Sequence, residues 1–252
     1  MNRRSQVEAS DRLRAALGRL EAIVGKAHAC WPEDDSFEGY LRDETYLRGA
    51  ASLVLRPGSQ SETIALVSEL NALRREHASE KSQLAFTLRG GGSGLSGAAV
   101  PAQGIVLDLT RMNRIIDIDE KNQTLRADCG VILSDLNAAL VGAGLWYPVD
   151  PSSLGLCTLG GSVATNAAGP SSLKYGTTRQ NLASLSWLTA SGQVVAAGSV
   201  PVKTSMGFSM TGLLCGSEGR LGLILDATIR LAGQPADAAL VLAGFADEPA
   251  AV

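Results

Sequence analysis

Arg89-Gly90-Gly91-Gly92-Ser93-Gly94-Leu95-Ser96-Gly97 is the stretch on which the reading of this chain turns. Five of its nine residues are glycine, and it follows a short apolar run, Leu84 to Leu88, that reads as a strand. Glycine reaches backbone angles that a Cβ forbids and lets a ligand approach the main chain. Successive exposed N–H groups in such a loop form a concavity that binds anions. The spacing Gly92-Ser93-Gly94-Leu95-Ser96-Gly97 is a formal G-x-G-x-x-G, but a doubly wound dinucleotide fold needs a helix directly after it. Pro101 and Gly104 interrupt within a few residues, and Ile105 to Leu109 reads as another strand. The loop is therefore expected to bind phosphate within a strand–loop–strand unit.

Upstream, Ser52 to Leu55 reads as a strand and Pro57-Gly58 as a turn. Ser59 and Glu62 form an S-x-x-E capping box for a helix whose apolar face carries Ile64, Val67 and Leu70. Strand, helix and strand of this length imply a right-handed parallel crossover. The glycine loop then leaves the carboxyl end of the second strand, where open α/β sheets bind ligands. Farther upstream, Leu13, Leu17, Leu20 and Val24 recur at helical spacing before Gly25. Cys30 to Arg48 reads as an extended covering segment.

Downstream, Ile115 to Ile118 and Thr124 to Ala127 form a hairpin around Lys121-Asn122. Ser134 to Leu140 is a short helix stopped by Gly142 or Gly144. A second small-residue cluster runs from Leu159 through Gly160-Gly161-Ser162-Val163-Ala164-Thr165-Asn166 to Gly169. Gly160-Gly161 ahead of a short helix is expected to turn N–H groups toward an anion, tight helix packing being the competing reading. Ser184 to Thr189 and Val194 to Ala197 read as a hairpin about Ser191-Gly192, and Leu221 to Leu231 as a long strand. Ala239 to Phe245 reads as one more strand, with nothing for it to pair with.

Composition narrows the classes. The chain has 252 residues, 45% hydrophobic, with a net charge of −3 and scattered Lys and Arg. That suits a globular protein with a real core and argues against nucleic acid as the main partner. Cys30, Cys129, Cys157 and Cys215 lack any C-x-x-C spacing, so buried free thiols in a reducing cytoplasm are expected, with no zinc site. No apolar run approaches the ~20 residues of a transmembrane span, and the N-terminus lacks the pattern of a signal or transit peptide. Neither G-x-S-x-G nor a P-loop is present, and the only histidines, His28 and His77, precede the glycine loop.

Four pieces in register resemble the FAD-binding domain of the vanillyl-alcohol-oxidase/PCMH superfamily of FAD-linked oxidases, over roughly residues 47–235. They are the Arg89 to Gly97 loop, Asp150-Pro151-Ser152-Ser153, Gly160 to Gly169 with Lys174-Tyr175-Gly176, and Gly216-Ser217-Glu218-Gly219 with Gly222. The branch is similar to the D-2-hydroxy-acid dehydrogenases, including D-lactate dehydrogenase and the FAD subunit of glycolate oxidase. The resemblance implies an α+β fold of two α/β subdomains, residues 47–110 and 111–235, with FAD between them. Residues 1–46 would precede them, and residues 236–252 would begin a cap domain. It implies a diphosphate site at Arg89, Gly90, Gly91, Gly92, Ser93 and Gly94. Pro151, Gly160, Gly161, Thr165, Asn166, Gly169, Tyr175, Gly176, Gly219 and Leu223 would follow the rest of the cofactor.

Covalent members carry a histidine in the first loop; Gly92-Ser93-Gly94 stands here, so the resemblance implies non-covalent FAD. Ala168 and Ser209 stand where the family often has Gly and Asp. The family's cap, with its metal-binding histidines and substrate arginine, has no counterpart in this sequence, and no catalytic acid or base is assigned within it. The expected function is the FAD-binding portion of an oxidoreductase acting on a small 2-hydroxy acid. A partner chain would carry the cap domain or the electron acceptor, with any membrane attachment only peripheral and through that partner. Two other readings are a non-catalytic FAD module of a complex and an NADPH-dependent reductase of the UDP-N-acetylenolpyruvoylglucosamine type.

Overall fold

The computed structural model describes residues 3–78, 81–201, 203, 207–237, 239, 241–247 and 249, with side chains from residue 12 onward. The chain opens with helix α1 (Arg3–Val24) and a two-residue strand β1 (Ala29–Cys30), followed by strand β2 (Leu53–Leu55) and helix α2 (Gln60–Glu76). Strands β3 (Phe86–Arg89) and β4 (Ile105–Asp108) complete a four-stranded sheet in the order β1-β2-β4-β3. β2 and β3 both run parallel to β4, which lies between them; β1 is antiparallel at the edge. Residues 90–104 join β3 to β4 without any helix.

This sheet is covered on both faces, which explains why β2 and β4 read as unbroken apolar runs. Leu53, Leu55, Ile105 and Leu107 face the main core with α1 and α2. Val54 and Val106 face the opposite side, against Cys30, Phe37 and Leu41. The segment expected merely to cover the domain thus supplies an edge strand and half a core layer. α2 begins as its sequence implies: the Glu62 N–H donates to Ser59 Oγ at 3.1 Å. The return bond differs, because Glu62 Oε2 accepts from the Gly58 N–H at 2.8 Å rather than from Ser59.

The second unit contains β5 (Ile115–Asp119), β6 (Thr124–Asp128), α3 (Leu133–Leu140), β7 (Leu145–Trp146), α4 (Leu159–Thr165), α5 (Ser172–Tyr175) and α6 (Thr178–Asn181). β8 (Leu182–Leu188), β9 (Val194–Gly198), α7 (Met210–Leu214), β10 (Leu223–Arg230) and β11 (Ala232–Gly233) follow. Its five-stranded sheet is antiparallel throughout, in the order β5-β6-β10-β8-β9. Seven of the eight residues of β10, at the centre, are buried. α4 packs on β10 and β6, and β11 pairs with β7. Gly144, at φ 63°, ends the 3-10 turn after α3 and is the stop.

One core runs through both units, with Leu66, Leu70 and Leu73 of α2 in the same cluster as Leu125, Leu185 and Ile229. Polar contacts tie them as well: Gln60 Nε2 donates to Asp226 Oδ2 at 3.1 Å, and Asn71 Nδ2 to the Ala190 carbonyl at 2.8 Å. All four cysteines are free and buried. Among the described residues no helix is long and apolar enough to cross a membrane. The strand expected over 239–245 is not formed at its described residues, 239 and 241–245; residue 240 lies outside the described residues. Alternation alone does not make a strand. A ladder needs a neighbour, and Val241, Leu242 and Phe245 are instead exposed.

Candidate functional site

A cleft of about 510 Å³ opens where the two sheets meet. One wall is the loop leaving β3, another the segment from Pro151 through α4, and a third the turn at Glu218-Gly219 leading into β10. Its size is typical of small-molecule sites. Of the sixteen residues implied by the resemblance, Arg89, Gly90, Gly91, Gly92, Ser93, Gly94, Pro151, Gly160, Gly161, Thr165 and Gly219 line it.

The glycines of the first loop do different jobs. A Cβ on Gly91 would sit 1.8 Å from the Leu156 carbonyl oxygen, so this glycine lets the loop lie directly on the second unit. Gly92 adopts φ 67°, which turns the chain. Gly94 has nothing within 4 Å of its would-be Cβ. No N–H of residues 90–95 donates to an acceptor among the described residues. Unpaired N–H groups on a cleft wall are what an anionic ligand requires.

The second cluster behaves otherwise. The Leu159 N–H donates to the Val131 carbonyl, and the Gly160 N–H to the Cys129 carbonyl at 2.7 Å. The Gly161 N–H donates to the cap oxygen, Thr158 Oγ1, at 3.2 Å. The expectation that Gly160-Gly161 turns free N–H groups toward an anion is therefore corrected: the pair lies in the first turn of α4 and its donors are taken. A Cβ on Gly160 would sit 2.7 Å from Cys129 Cβ, so close packing explains this glycine. The cluster contributes a smooth wall instead, with Ala164, Ala167 and Ala168 lining the cleft.

Arg89 is the only basic residue among the described lining residues, and its guanidinium is engaged elsewhere. Nη1 donates to the Arg42 carbonyl at 2.8 Å and Nη2 to that of Gly39 at 3.2 Å. The group lies 5.8 Å from the centre of the Tyr40 ring. Burial pushes its pKa below the usual arginine value, with Asp108, Tyr40 and Asp43 pulling it back up. Negative charge in the cleft would be met chiefly by main-chain N–H groups.

Five expected residues lie off the cleft wall. Asn166 ends α4 at φ 50° and its Oδ1 accepts from the Arg179 N–H and from Thr177 Oγ1, each at 3.0 Å. Gly169 packs against Asp150. Tyr175 meets Trp146 edge-on, with ring centres 5.5 Å apart. Gly176 turns toward Gln180 at φ 82°, and Leu223 is buried where β10 pairs with β8. All five shape the support behind the wall.

The sequence reading missed Asp43, Cys157, Thr158 and Glu218, which line the cleft. Thr158 carried a signal, as an N-cap three residues before Gly161. Asp43-Glu44-Thr45 has the spacing of a local side-chain turn, which by itself says nothing about a cleft. Burial raises the Cys157 thiol pKa to about 11, with the Ser93 hydroxyl pulling the other way. Glu218 holds φ 52°, a left-handed conformation for a side-chain-bearing residue. A loop with unpaired N–H groups and a wall of small side chains in one cleft fit a ligand that joins a diphosphate to a planar ring.

Comparison with known proteins agrees. A family model described as an FAD binding domain matches residues 51–198. D-2-hydroxyglutarate dehydrogenase of Xanthomonas citri pv. viticola is 38% identical over 205 residues, covering 81% of this chain and 42% of its own length. Glycolate oxidase subunit GlcD of Bacillus subtilis is 38% identical over 223 residues, covering 86% and 46%. A solved structure of alkyldihydroxyacetonephosphate synthase shares the fold at TM-score 0.73 and 22% identity, over 89% of this chain and 41% of that one. The chain spans less than half the length of the curated relatives it matches.

Proposed function

The chain belongs to the FAD binding domain family, and from that premise we propose that it is the cofactor-holding part of an oxidoreductase acting on a D-2-hydroxy acid. The observation that carries the cofactor site is the row of N–H groups at residues 90–95 that have no acceptor among the described residues, in a loop that lines the same cleft as the glycines and alanines of α4. Gly90 to Gly94 hold the diphosphate through the main chain, and the Ser93 hydroxyl adds a donor. Gly161, Ala164 and Ala168 leave room for the flavin ring to lie against α4. Bound FAD supplies the redox chemistry, accepting the hydrogen removed from the carbon that bears the substrate hydroxyl. With no histidine in the loop, attachment is non-covalent.

Support for the substrate class comes from the relatives, a D-2-hydroxyglutarate dehydrogenase and a glycolate oxidase subunit. No histidine, lysine or tyrosine is among the described lining residues. That favours a second reading, in which this unit binds FAD while a further domain or a partner chain supplies the base and the substrate carboxylate's counter-charge.

The test is a titration of the purified chain with FAD, followed by visible absorption with a panel of D-2-hydroxy acids under anaerobic conditions. Failure to bind FAD would overturn the proposal. Binding with bleaching by one acid identifies the substrate and a self-sufficient unit. Binding without bleaching supports the second reading.

A further inference from the structure

Residues 39–50 run alongside the first glycine loop, and the two stretches advance together. At one end the Arg89 guanidinium donates from Nη1 to the Arg42 carbonyl at 2.8 Å and from Nη2 to that of Gly39 at 3.2 Å. Farther along, the Glu44 N–H donates to the Gly94 carbonyl at 3.3 Å, and Leu47 Cδ1 lies against Gly97. At the far end the Ala50 N–H donates to the Pro101 carbonyl at 2.8 Å. The segment is itself fixed. The Gly49 N–H donates to the Leu41 carbonyl at 2.7 Å, and Phe37 and Leu41 are buried with Val54 and Val106 of the first sheet.

Arg89 sits where segment and loop meet. A Cβ on Gly92 would collide with its guanidinium, so the group lies directly against the main chain where the loop turns at φ 67°. A planar guanidinium can hold two carbonyls at once in a fixed fork, which a lysine ammonium cannot reproduce.

Glycine loses more backbone freedom on ordering than any other residue. The N–H groups of residues 90–95 have no acceptor among the described residues, so they do nothing to fix this loop. The contacts from the N-terminal segment do. Apparent affinity scales with the fraction of molecules already in the binding arrangement. Holding a loop in that arrangement beforehand removes its ordering cost from the binding step.

We propose that Arg89 is a positioning residue: through the Gly39 and Arg42 carbonyls it locks the N-terminal segment onto the glycine loop, and so keeps the N–H groups of residues 90–95 arranged for the cofactor diphosphate without itself binding it. The inference rests on the FAD-binding reading above.

The test compares wild type with Arg89→Lys, which keeps the charge and loses the fork, and Arg89→Met, which loses both. FAD affinity is measured by flavin fluorescence, folding by thermal melting, and order of the loop by nitrogen relaxation NMR of the apo-proteins. Both variants should bind FAD about tenfold or more weakly, as when the competent fraction falls to about a tenth. In both, the N–H groups of residues 90–95 should gain motion while those of β4 do not. Linkage adds a measurement on wild type alone, because FAD that favours the braced loop must in turn secure the segment. Saturating FAD should slow hydrogen exchange at the Glu44 and Ala50 N–H groups by about tenfold or more, and leave the Thr189 N–H of the β8–β9 turn unchanged.

Arg89→Lys with wild-type affinity beside a weakened Arg89→Met overturns the proposal, because charge alone then suffices. So do folded variants that both bind FAD as wild type does, or that lose affinity with the loop as ordered as before. Exchange at Glu44 and Ala50 that is indifferent to FAD overturns it on wild type, even if neither variant folds. Wild type that binds no FAD overturns the cofactor reading instead.

Discussion

Gly91→Ala and Gly94→Ala, three residues apart in one loop, should fail in opposite ways. At Gly91 the new methyl would sit 1.8 Å from the Leu156 oxygen and 2.8 Å from its carbon. The obstacle is backbone, so no side chain can rotate away. The loop must lift off the second unit or Leu156 must shift. Overpacking costs about 1–3 kcal/mol, and a backbone obstacle places this case near about 3. At about 2–4 °C per kcal/mol for a chain of this size, the melting temperature of the apo-protein should fall by about 6–12 °C.

At Gly94 nothing lies within 4 Å of the added methyl, and this glycine is not among those with positive φ. Stability should stay within about 0.5 kcal/mol of wild type. The methyl nevertheless enters the space where a ligand would lie on the main chain, so FAD affinity should fall by about tenfold or more, ~1.4 kcal/mol. The assay is thermal melting of apo-protein paired with FAD titration. Gly91→Ala with an unchanged melting temperature refutes the packing argument. Gly94→Ala with wild-type FAD affinity refutes a ligand lying against the backbone there.

Three further variants test other parts of the structure. Arg89→Met removes the bonds to the Gly39 and Arg42 carbonyls; hydrogen exchange should rise across residues 37–45 while β2 and β4 stay protected, and equal exchange throughout would count against Arg89 as the strap. Ser59→Ala removes the cap oxygen that accepts the Glu62 N–H; about 1 kcal/mol should be lost, or about 2–4 °C in melting temperature. Cys157, raised to about 11, should alkylate slowly near neutrality and faster as pH rises, and FAD should protect it. The sign follows from burial of the neutral thiol: that contribution is intact below the unfolded pKa of about 8.5 and is lost as pH climbs toward the folded value. The stability gap between wild type and Cys157→Ala should accordingly narrow above about pH 9, and a gap that widens would contradict it.

What the sequence made legible was set by residues that act on their own neighbours. Pro101 and Gly104 forbid a helix after the first loop whatever surrounds them, and residues 90–104 contain none. Ser59 caps α2 through a bond spanning three residues. The glycine pair in α4 was harder, because its role depends on what tertiary folding brings beside it. Gly160 looks equally suited to opening an anion site and to packing, and only the carbonyl and Cβ of Cys129, carried there from the end of β6, decide for packing. Asp43 follows the same logic in reverse. A short Asx turn is unremarkable in sequence, yet the Arg89 bonds and the Glu44 N–H place it on a wall formed by residues about fifty positions later. Glycine-rich loops thus announce where a ligand meets the main chain. The side chains that border such a site are set by long-range packing, so they are the part of it that sequence alone does not announce.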